Sequence, residues 1–244
     1  MKQTSHYVTD WLDKRAKLTP DHIALIDYAT GSETTYAEWN KRVNQTANYL
    51  RSLGVTKGDR VAVYASNKPE YLDLFWAAPK IGAILQNLNW RLTVHELIGI
   101  VESGEPIVLV YSEDWQAQVG ELKPTFTTVE HVVAMTNPGH DERTFAERDA
   151  MSTVLDDVPD LDMDDPWGIY YTGGTTGLPK GAVVTHGNVT WNSVNTIASW
   201  GINGLHKAAV QLPFFHIGGP MIFMVPVSYT HLRAHETRYV ISYA

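Results

Sequence analysis

The residues of this chain whose types and spacing can do chemistry gather in one stretch. Residues 170–181 read Tyr-Tyr-Thr-Gly-Gly-Thr-Thr-Gly-Leu-Pro-Lys-Gly. Gly173, Gly174, Gly177 and Gly181 let a ligand approach the backbone closely, while Thr172, Thr175 and Thr176 place hydroxyls among successive amides. Concave rows of N–H groups bind anions. Lys180 adds a mobile, strongly hydrated positive charge, which suits a phosphate chain better than a single planar carboxylate. Polyphosphate is the ligand this pattern implies, and a turn that is glycine-rich for geometric reasons alone is the competing reading. A P-loop nucleotide site fits less well, because it needs Gly-Lys-Ser/Thr opening a helix. Here Lys180-Gly181 leads instead into the strand-like Ala182, Val183 and Val184.

A second candidate follows. Residues 208–212 have strand composition and end in Pro213-Phe214-Phe215-His216-Ile217-Gly218-Gly219. On its own, a histidine after aromatic residues reads as a satisfied core residue. Arg91, just ahead of a helix signal, reads first as a surface or packing residue and second as a ligand for an anion. His186 reads as a capping or packing residue. The run containing Asp156, Asp157, Asp160, Asp162, Asp164 and Asp165 lacks the glycine and closing glutamate of a calcium loop, so it reads as a solvated linker.

The elements that must position these residues alternate between strand and helix. Val8, Trp11, Leu12, Arg15 and Ala16 lie at helical spacing, Pro20 ends that pattern, and residues 22–26 form a short strand. Thr35 with Glu38 makes a capping box for a helix striped by Trp39, Val43, Ala47 and Leu50, with Gly54 at its end. Residues 60–65 are a buried-type strand, Pro69 opens a helix and Pro79 kinks or ends it. Thr93 with Glu96 caps a further helix, and strands are expected at residues 83–85, 107–111 and 129–135, with a helix over 114–123. After the glycine-rich segment, Val194, Ile197 and Ala198 share one face of a helix. This alternation with short links predicts an α/β fold, a doubly wound and mostly parallel sheet. Such sheets bind ligands at the carboxyl ends of their strands.

Composition narrows the function. The chain has 244 residues, 44% of them hydrophobic, which is enough for a buried core. A formal charge of −8 with scattered Lys and Arg argues against a nucleic-acid surface. There is no cysteine and hence no disulfide framework. The first residues lack a secretory pattern and no apolar run reaches the ~18 residues of a membrane span, so the expected location is the cytoplasm.

Taken whole, residues 170–181 resemble the phosphate-binding signature of the adenylate-forming (AMP-binding) superfamily, which contains acyl-CoA synthetases, luciferases and peptide-synthetase adenylation domains. The Thr-Gly-Gly-Thr-Thr-Gly form is most similar to the fatty acyl-CoA ligase branch. Residues 212–216, Leu-Pro-Phe-Phe-His, resemble the second core motif of these enzymes. The resemblance runs from about residue 7 to residue 226. It implies ATP-dependent activation of a carboxylic acid, through an acyl-adenylate, to a thioester of coenzyme A, on a fatty or other hydrophobic acid. It implies that Thr172, Gly173, Gly174, Thr175, Thr176, Gly177 and Lys180 bind ATP, that Thr172 also touches Mg²⁺, and that Lys180 neutralises the leaving pyrophosphate. His216, Phe215 and Gly218 would border the acyl pocket. Pro220 departs from those fatty acyl-CoA enzymes that carry an aromatic gate four residues after the histidine, which leaves chain-length preference and the acid open. An adenylation domain of another adenylate-forming enzyme is an alternative, although Ile217-Gly218-Gly219 stands where peptide-synthetase domains carry an aspartate. A non-catalytic nucleotide-binding domain is another.

The expected organisation is one partial AMP-binding domain over residues 1–227, with an acidic, linker-like segment at 137–165. Residues 228–244 lose the apolar pattern and are expected to be a non-native tail that stays out of the sheet. The adenine, ribose, hinge and adenylation-lysine motifs of the family would lie beyond residue 244, so the fragment alone would not turn over. Oligomerisation is left open.

Overall fold

The computed structural model describes residues 8–172, 179–202, 208–226 and 239–241. Its centre is a seven-stranded sheet of β3 (Arg60–Tyr64), β4 (Ile84–Asn87), β5 (Val108–Tyr111), β6 (His131–Ala134), β7 (Arg143–Thr144), β8 (Pro166–Thr172) and β9 (Lys180–Thr185). Their order is β7-β6-β5-β3-β4-β8-β9, parallel throughout except for the antiparallel β8–β9 pair. A smaller antiparallel sheet pairs β1 (Ile23–Asp27) with β2 (Glu33–Thr35) on one side and β11 (Tyr239–Ile241) on the other, and β11 with β10 (Ala208–Ala209). The expected α/β doubly wound architecture is what the chain adopts.

The central strands are buried on both faces, which is why they read as near-continuous apolar runs. Val61 and Val63 point into the core shared with α2 (Tyr36–Ser52) and α3 (Pro69–Lys80), whereas Ala62 and Tyr64 point into a second core beneath α4 (Val94–Gly104) and α5 (Gln116–Leu122). The chain leaves β3 for one face through α3 and leaves β4 for the other through α4. That reversal opens a crevice at the carboxyl ends of these two strands. Among the described residues no helix is long and apolar enough to cross a membrane.

Local chemistry sets the helix ends. In α2 and α4, Thr35 and Thr93 accept from the backbone of Glu38 and Glu96, whose carboxylates accept in return. Pro69 opens α3, and Pro79 sits one residue before its end, so the proline stops the helix without a mid-helix break. The two large helices are held by Asp73, which is fully buried on α3 and accepts from Trp39 Nε1 (3.0 Å), Arg42 Nε (2.8 Å) and Arg148 (2.5 Å).

Three expectations are corrected. Residues 137–165 are not a free linker. Asn44, Gln45, Asn48 and Arg51 of α2 donate to the carbonyls of Asp149, Met151, Ser152, Thr153, Val154, Asp156 and Asp157, while Phe145 and Arg148 are buried. In this strap, Asp156, Asp157, Asp160, Asp162 and Asp164 face solvent, as their density suggested, whereas Glu142 is buried against Lys123 and Tyr111 and Asp165 pairs with Lys57; the backbone of residues 149–157 is bound to the polar side of α2. Second, residues 239–241 do enter a sheet, where Leu25 pairs with Ile241 and Ala208 with the same residue on the other side. The tripeptide Tyr-Val-Ile has strong β propensity, and β1 offers it an open edge. Third, in α6 (His186–Trp200) the residues buried are His186, Val189 and Ser193, whereas Val194 and Ala198 are exposed and Ile197 is half-buried. Helical spacing locates an apolar face but not what covers it, and no described element covers this one.

Candidate functional site

The hairpin β8–β9 places Thr172 and Lys180, which flank the glycine-rich segment in sequence, at the carboxyl end of the parallel sheet. Thr172, the last residue of β8, lies opposite Lys180, the first of β9, and Thr172 Oγ1 donates to the Lys180 carbonyl at 3.3 Å. Both side chains are exposed, and among the described residues the Lys180 ammonium is in no ion pair. Gly173, Gly174, Thr175, Thr176 and Gly177 lie outside the described residues. Gly181 belongs to the strand rather than to the loop, and a Cβ there would meet the Ile169 side chain at 2.8 Å. The position thus excludes a side chain because of packing, not because of a left-handed backbone.

His216 is carried on a turn tied to the loop after β3. Asn67 Nδ2 donates to the Leu212 carbonyl at 3.0 Å, and Asn67 Oδ1 accepts from Phe214 N at 2.9 Å. Phe214 is buried against Tyr71 with ring centroids 5.5 Å apart. The turn then exposes His216, whose Nδ1 accepts from Gly218 N at 3.1 Å. With Nδ1 acting as acceptor, the proton of the neutral ring rests on Nε2. Gly219 closes the turn where a Cβ would fall 2.4 Å from the Pro213 carbonyl oxygen. Gly219→Ala therefore forces the backbone apart and is expected to cost about 1–3 kcal/mol of stability in thermal denaturation, the range for overpacking.

His216 and Gly218 line a groove of about 670 Å³ that runs beside α6 and includes Val184, Asn192, Trp200 and Met221. Asn192 Nδ2 donates to the Met221 carbonyl at 2.8 Å and fixes the groove's floor. Phe215 does not line it. It packs edge-on against Trp90 at 5.5 Å, beneath the guanidinium of Arg91, which lies over both rings. Trp90 in turn stacks on Trp115 with an interplanar angle of 18°. Trp90, Arg91 and Trp115, with Ser66 and Asn67, line the crevice at the carboxyl ends of β3 and β4, a cleft of about 370 Å³. Arg91 is thus the packing residue that its position ahead of a helix suggested, and it also puts a charge on the ligand side of the sheet. Asn67 and the Trp90–Trp115 platform were not recognisable from the sequence, because single polar or aromatic residues in loops carry no spacing signal.

The rim of this end is latched by carboxylates. Glu113, after β5, accepts from Lys68, after β3, and from Thr136, after β6, at 2.6 Å for the threonine. Desolvation alone would raise its pKa, but the Lys68 and Thr136 hydrogen bonds outweigh it and bring the carboxyl down to about 2. A carboxylate with a depressed folded pKa contributes stability above its unfolded value and loses it as pH falls toward the folded one. Stability against urea should therefore decline between about pH 4.5 and about 2, and Glu113→Gln should flatten part of that decline.

A mostly parallel, doubly wound sheet with the Thr172–Lys180 hairpin end at its carboxyl side and an aromatic–histidine turn nearby defines an α/β protein with ligand-sized clefts at the carboxyl ends of its strands. Comparison with known proteins makes this specific: the AMP-binding enzyme family matches residues 12–231, and the chain belongs to that family. It is 37% identical over 207 residues to a feruloyl-CoA synthase of an Amycolatopsis species, covering 84% of this chain and 39% of that protein. It is 30% identical over 220 residues to the 2-succinylbenzoate–CoA ligase of Oceanobacillus iheyensis, covering 90% of this chain and 42% of that protein. ATP-bound MatB from Rhodopseudomonas palustris superposes with a TM-score of 0.79 at 25% identity, over 94% of this chain and 45% of MatB. The chain thus spans about two fifths of the length of the curated relatives it matches.

Proposed function

We propose that this chain is the phosphate- and acid-binding part of an enzyme that joins a hydrophobic carboxylic acid to coenzyme A at the expense of ATP. The observation that carries this reading is the hairpin, which sets Thr172 and Lys180 across from each other at the ligand end of the sheet, on either side of the glycine-rich segment. Family membership and the CoA-ligase names of the relatives support it.

On this reading a carboxylate oxygen of the acid attacks the α-phosphorus of ATP, and the α–β bridging oxygen leaves with pyrophosphate. The thiol of coenzyme A then adds to the acyl carbon and expels AMP, giving the thioester. No side chain becomes covalently bonded, so the chain contributes position and charge. Lys180 offsets the charge that builds on pyrophosphate as it leaves. Gly173, Gly174, Thr175, Thr176 and Gly177 would hold the phosphates through their amides and hydroxyls. Thr172 Oγ1, exposed at the strand end, keeps a lone pair for the Mg²⁺ that accompanies the nucleotide. His216 offers Nε2–H to the groove in which the acid would lie, and Trp200, Ile217 and Met221 give that groove its apolar wall. An aryl-bearing acid such as a cinnamate is the first to test, since the groove is large enough for a ring. The test is pyrophosphate release by the full-length enzyme that contains this chain, assayed with fatty, cinnamic and benzoic acids. Release that depends on one of these acids and on ATP supports the reading. No acid-dependent release from any of them would remove it and leave a non-catalytic nucleotide-binding domain.

A further inference from the structure

Along the groove beside His216, α6 lays down a single row of side chains. Asn188, Asn192, Thr196 and Trp200 follow one another four residues apart, which places them on one ridge of the helix, and all four line the groove. Apart from His216 and Gly218, the rest of the lining is apolar: Val184, Ile217, Met221 and Ile222. The polar ridge is not explained by exposure to water, because the apolar Trp191, Val194 and Ala198 of the same helix are exposed and lie off the groove. Such a helix puts its polar residues where a site for a bare hydrocarbon chain would be apolar.

The helix itself uses only part of what these side chains offer. Asn188 Oδ1 accepts from Thr185 N at 3.0 Å in the capping box that starts α6, and Asn192 Nδ2 donates to the Met221 carbonyl at 2.8 Å. Asn188 Nδ2, Asn192 Oδ1 and Thr196 Oγ1 have no hydrogen-bond partner among the described residues. Charge is the other restriction. No Lys, Arg, Asp or Glu is among the described residues that line the groove. A second carboxylate or an ammonium on the acid would give up hydration here without meeting an opposite charge.

We propose that this groove selects a monocarboxylic acid whose body is uncharged and carries an oxygen, as a hydroxyl, ether or carbonyl, on the side that meets α6, and that Asn192 and Thr196 read that oxygen. The inference rests on the reading of the groove as the place of the acid. Thr196 Oγ1 and Asn188 Nδ2 can donate to such an oxygen, and Asn192 Oδ1 can accept from a hydroxyl. A plain hydrocarbon laid on the same ridge would cut these groups off from water and leave them unpaired, which costs more than a made bond returns. The ridge thus rejects the plain acid as well as favouring the oxygenated one.

The experiment compares acids that differ by one group, through pyrophosphate release by the full-length enzyme that contains this chain. Cinnamate is set against meta- and para-hydroxycinnamate, an unbranched alkanoate against its mid-chain hydroxy derivative, and each set against a dicarboxylate of similar length. In a set that is turned over, a hydroxylated acid should have a kcat/KM at least about fivefold above the plain acid, and the dicarboxylate should fall at least about tenfold below that hydroxylated acid. Thr196→Val keeps the shape, removes the hydroxyl and should reduce the preference about twofold or more, and adding Asn192→Leu should bring it to within about twofold of parity. If the double variant does not fold, Thr196→Val alone decides. Plain acids turned over as well as their hydroxylated partners, a dicarboxylate turned over best, or a preference that folded Thr196→Val leaves unchanged would each overturn the proposal. All three results include acid-dependent release and so leave the ligase reading standing. No release with any acid removes that reading and this inference with it.

Discussion

Lys180→Ala, made in the full-length enzyme that contains this chain, is expected to lower kcat/KM for ATP about ten- to a hundredfold while leaving the melting temperature nearly unchanged. The first part follows from chemistry: losing a charge-assisted bond to a phosphate costs roughly 1.5–3 kcal/mol. The second follows from position. The side chain is exposed at the start of β9 and makes no ion pair among the described residues, and substitutions at such sites usually change stability by within ~0.5 kcal/mol. Lys180→Arg should recover only part of the loss, because a planar guanidinium approaches phosphate oxygens differently from a point-charge ammonium. Steady-state kinetics in ATP, paired with a thermal melt, measures both. A value within twofold of wild type for Lys180→Ala would mark the lysine as a turn residue.

Asp73→Ala is expected to have the largest effect on folding, about 3–5 kcal/mol, the cost of breaking a buried ion pair from one side. Its carboxylate is fully buried and joins Trp39 and Arg42 of α2 to Arg148 of the strap. Removing it leaves the buried Arg148 guanidinium with only the longer contacts to Thr46 Oγ1 (3.3 Å) and the exposed Asp149 (3.4 Å), and the Trp39 indole N–H with no other partner among the described residues. Asp73→Asn keeps the shape and one acceptor, so it should cost less. Urea denaturation gives both values. A loss below about 1 kcal/mol for Asp73→Ala would mean that water replaces the carboxylate and that the network does not hold the strap to the helices.

Asp73 also shows where sequence reading stops. Its neighbours Leu72, Phe75 and Trp76 declared an apolar helix, and Pro69 declared where it begins, because periodicity and proline stereochemistry are local. Nothing local announces that a lone aspartate in that helix will meet an arginine 75 residues later. The same holds for the strap, where the density of carboxylates predicted solvent exposure of the side chains but could not report the amides and guanidinium of α2 waiting for its carbonyls. The capping boxes at Thr35, Thr93 and Thr185 lie within four residues and were either read directly or readable by the same rule. At the site, Thr172, Lys180 and His216 were visible because they belong to contiguous strings. Asn67, which anchors the His216 turn from 147 residues away, was not.

Phe215 marks an intermediate case. The string containing it located the right segment, but the chain turns at residues 214–217, so Phe215 joined the Trp90–Arg91 cluster while His216 and Gly218 reached the groove.

The central claim is that the acid is activated as an acyl-adenylate at the Thr172–Lys180 hairpin. The most direct measurement is the fate of oxygen-18 from a labelled carboxylic acid, followed by mass spectrometry of the phosphorus products after one round of thioester formation by the full-length enzyme. The account predicts AMP carrying one heavy oxygen from the carboxylate, with unlabelled pyrophosphate. Label recovered in inorganic phosphate alongside ADP would show attack on the terminal phosphorus instead and would contradict it.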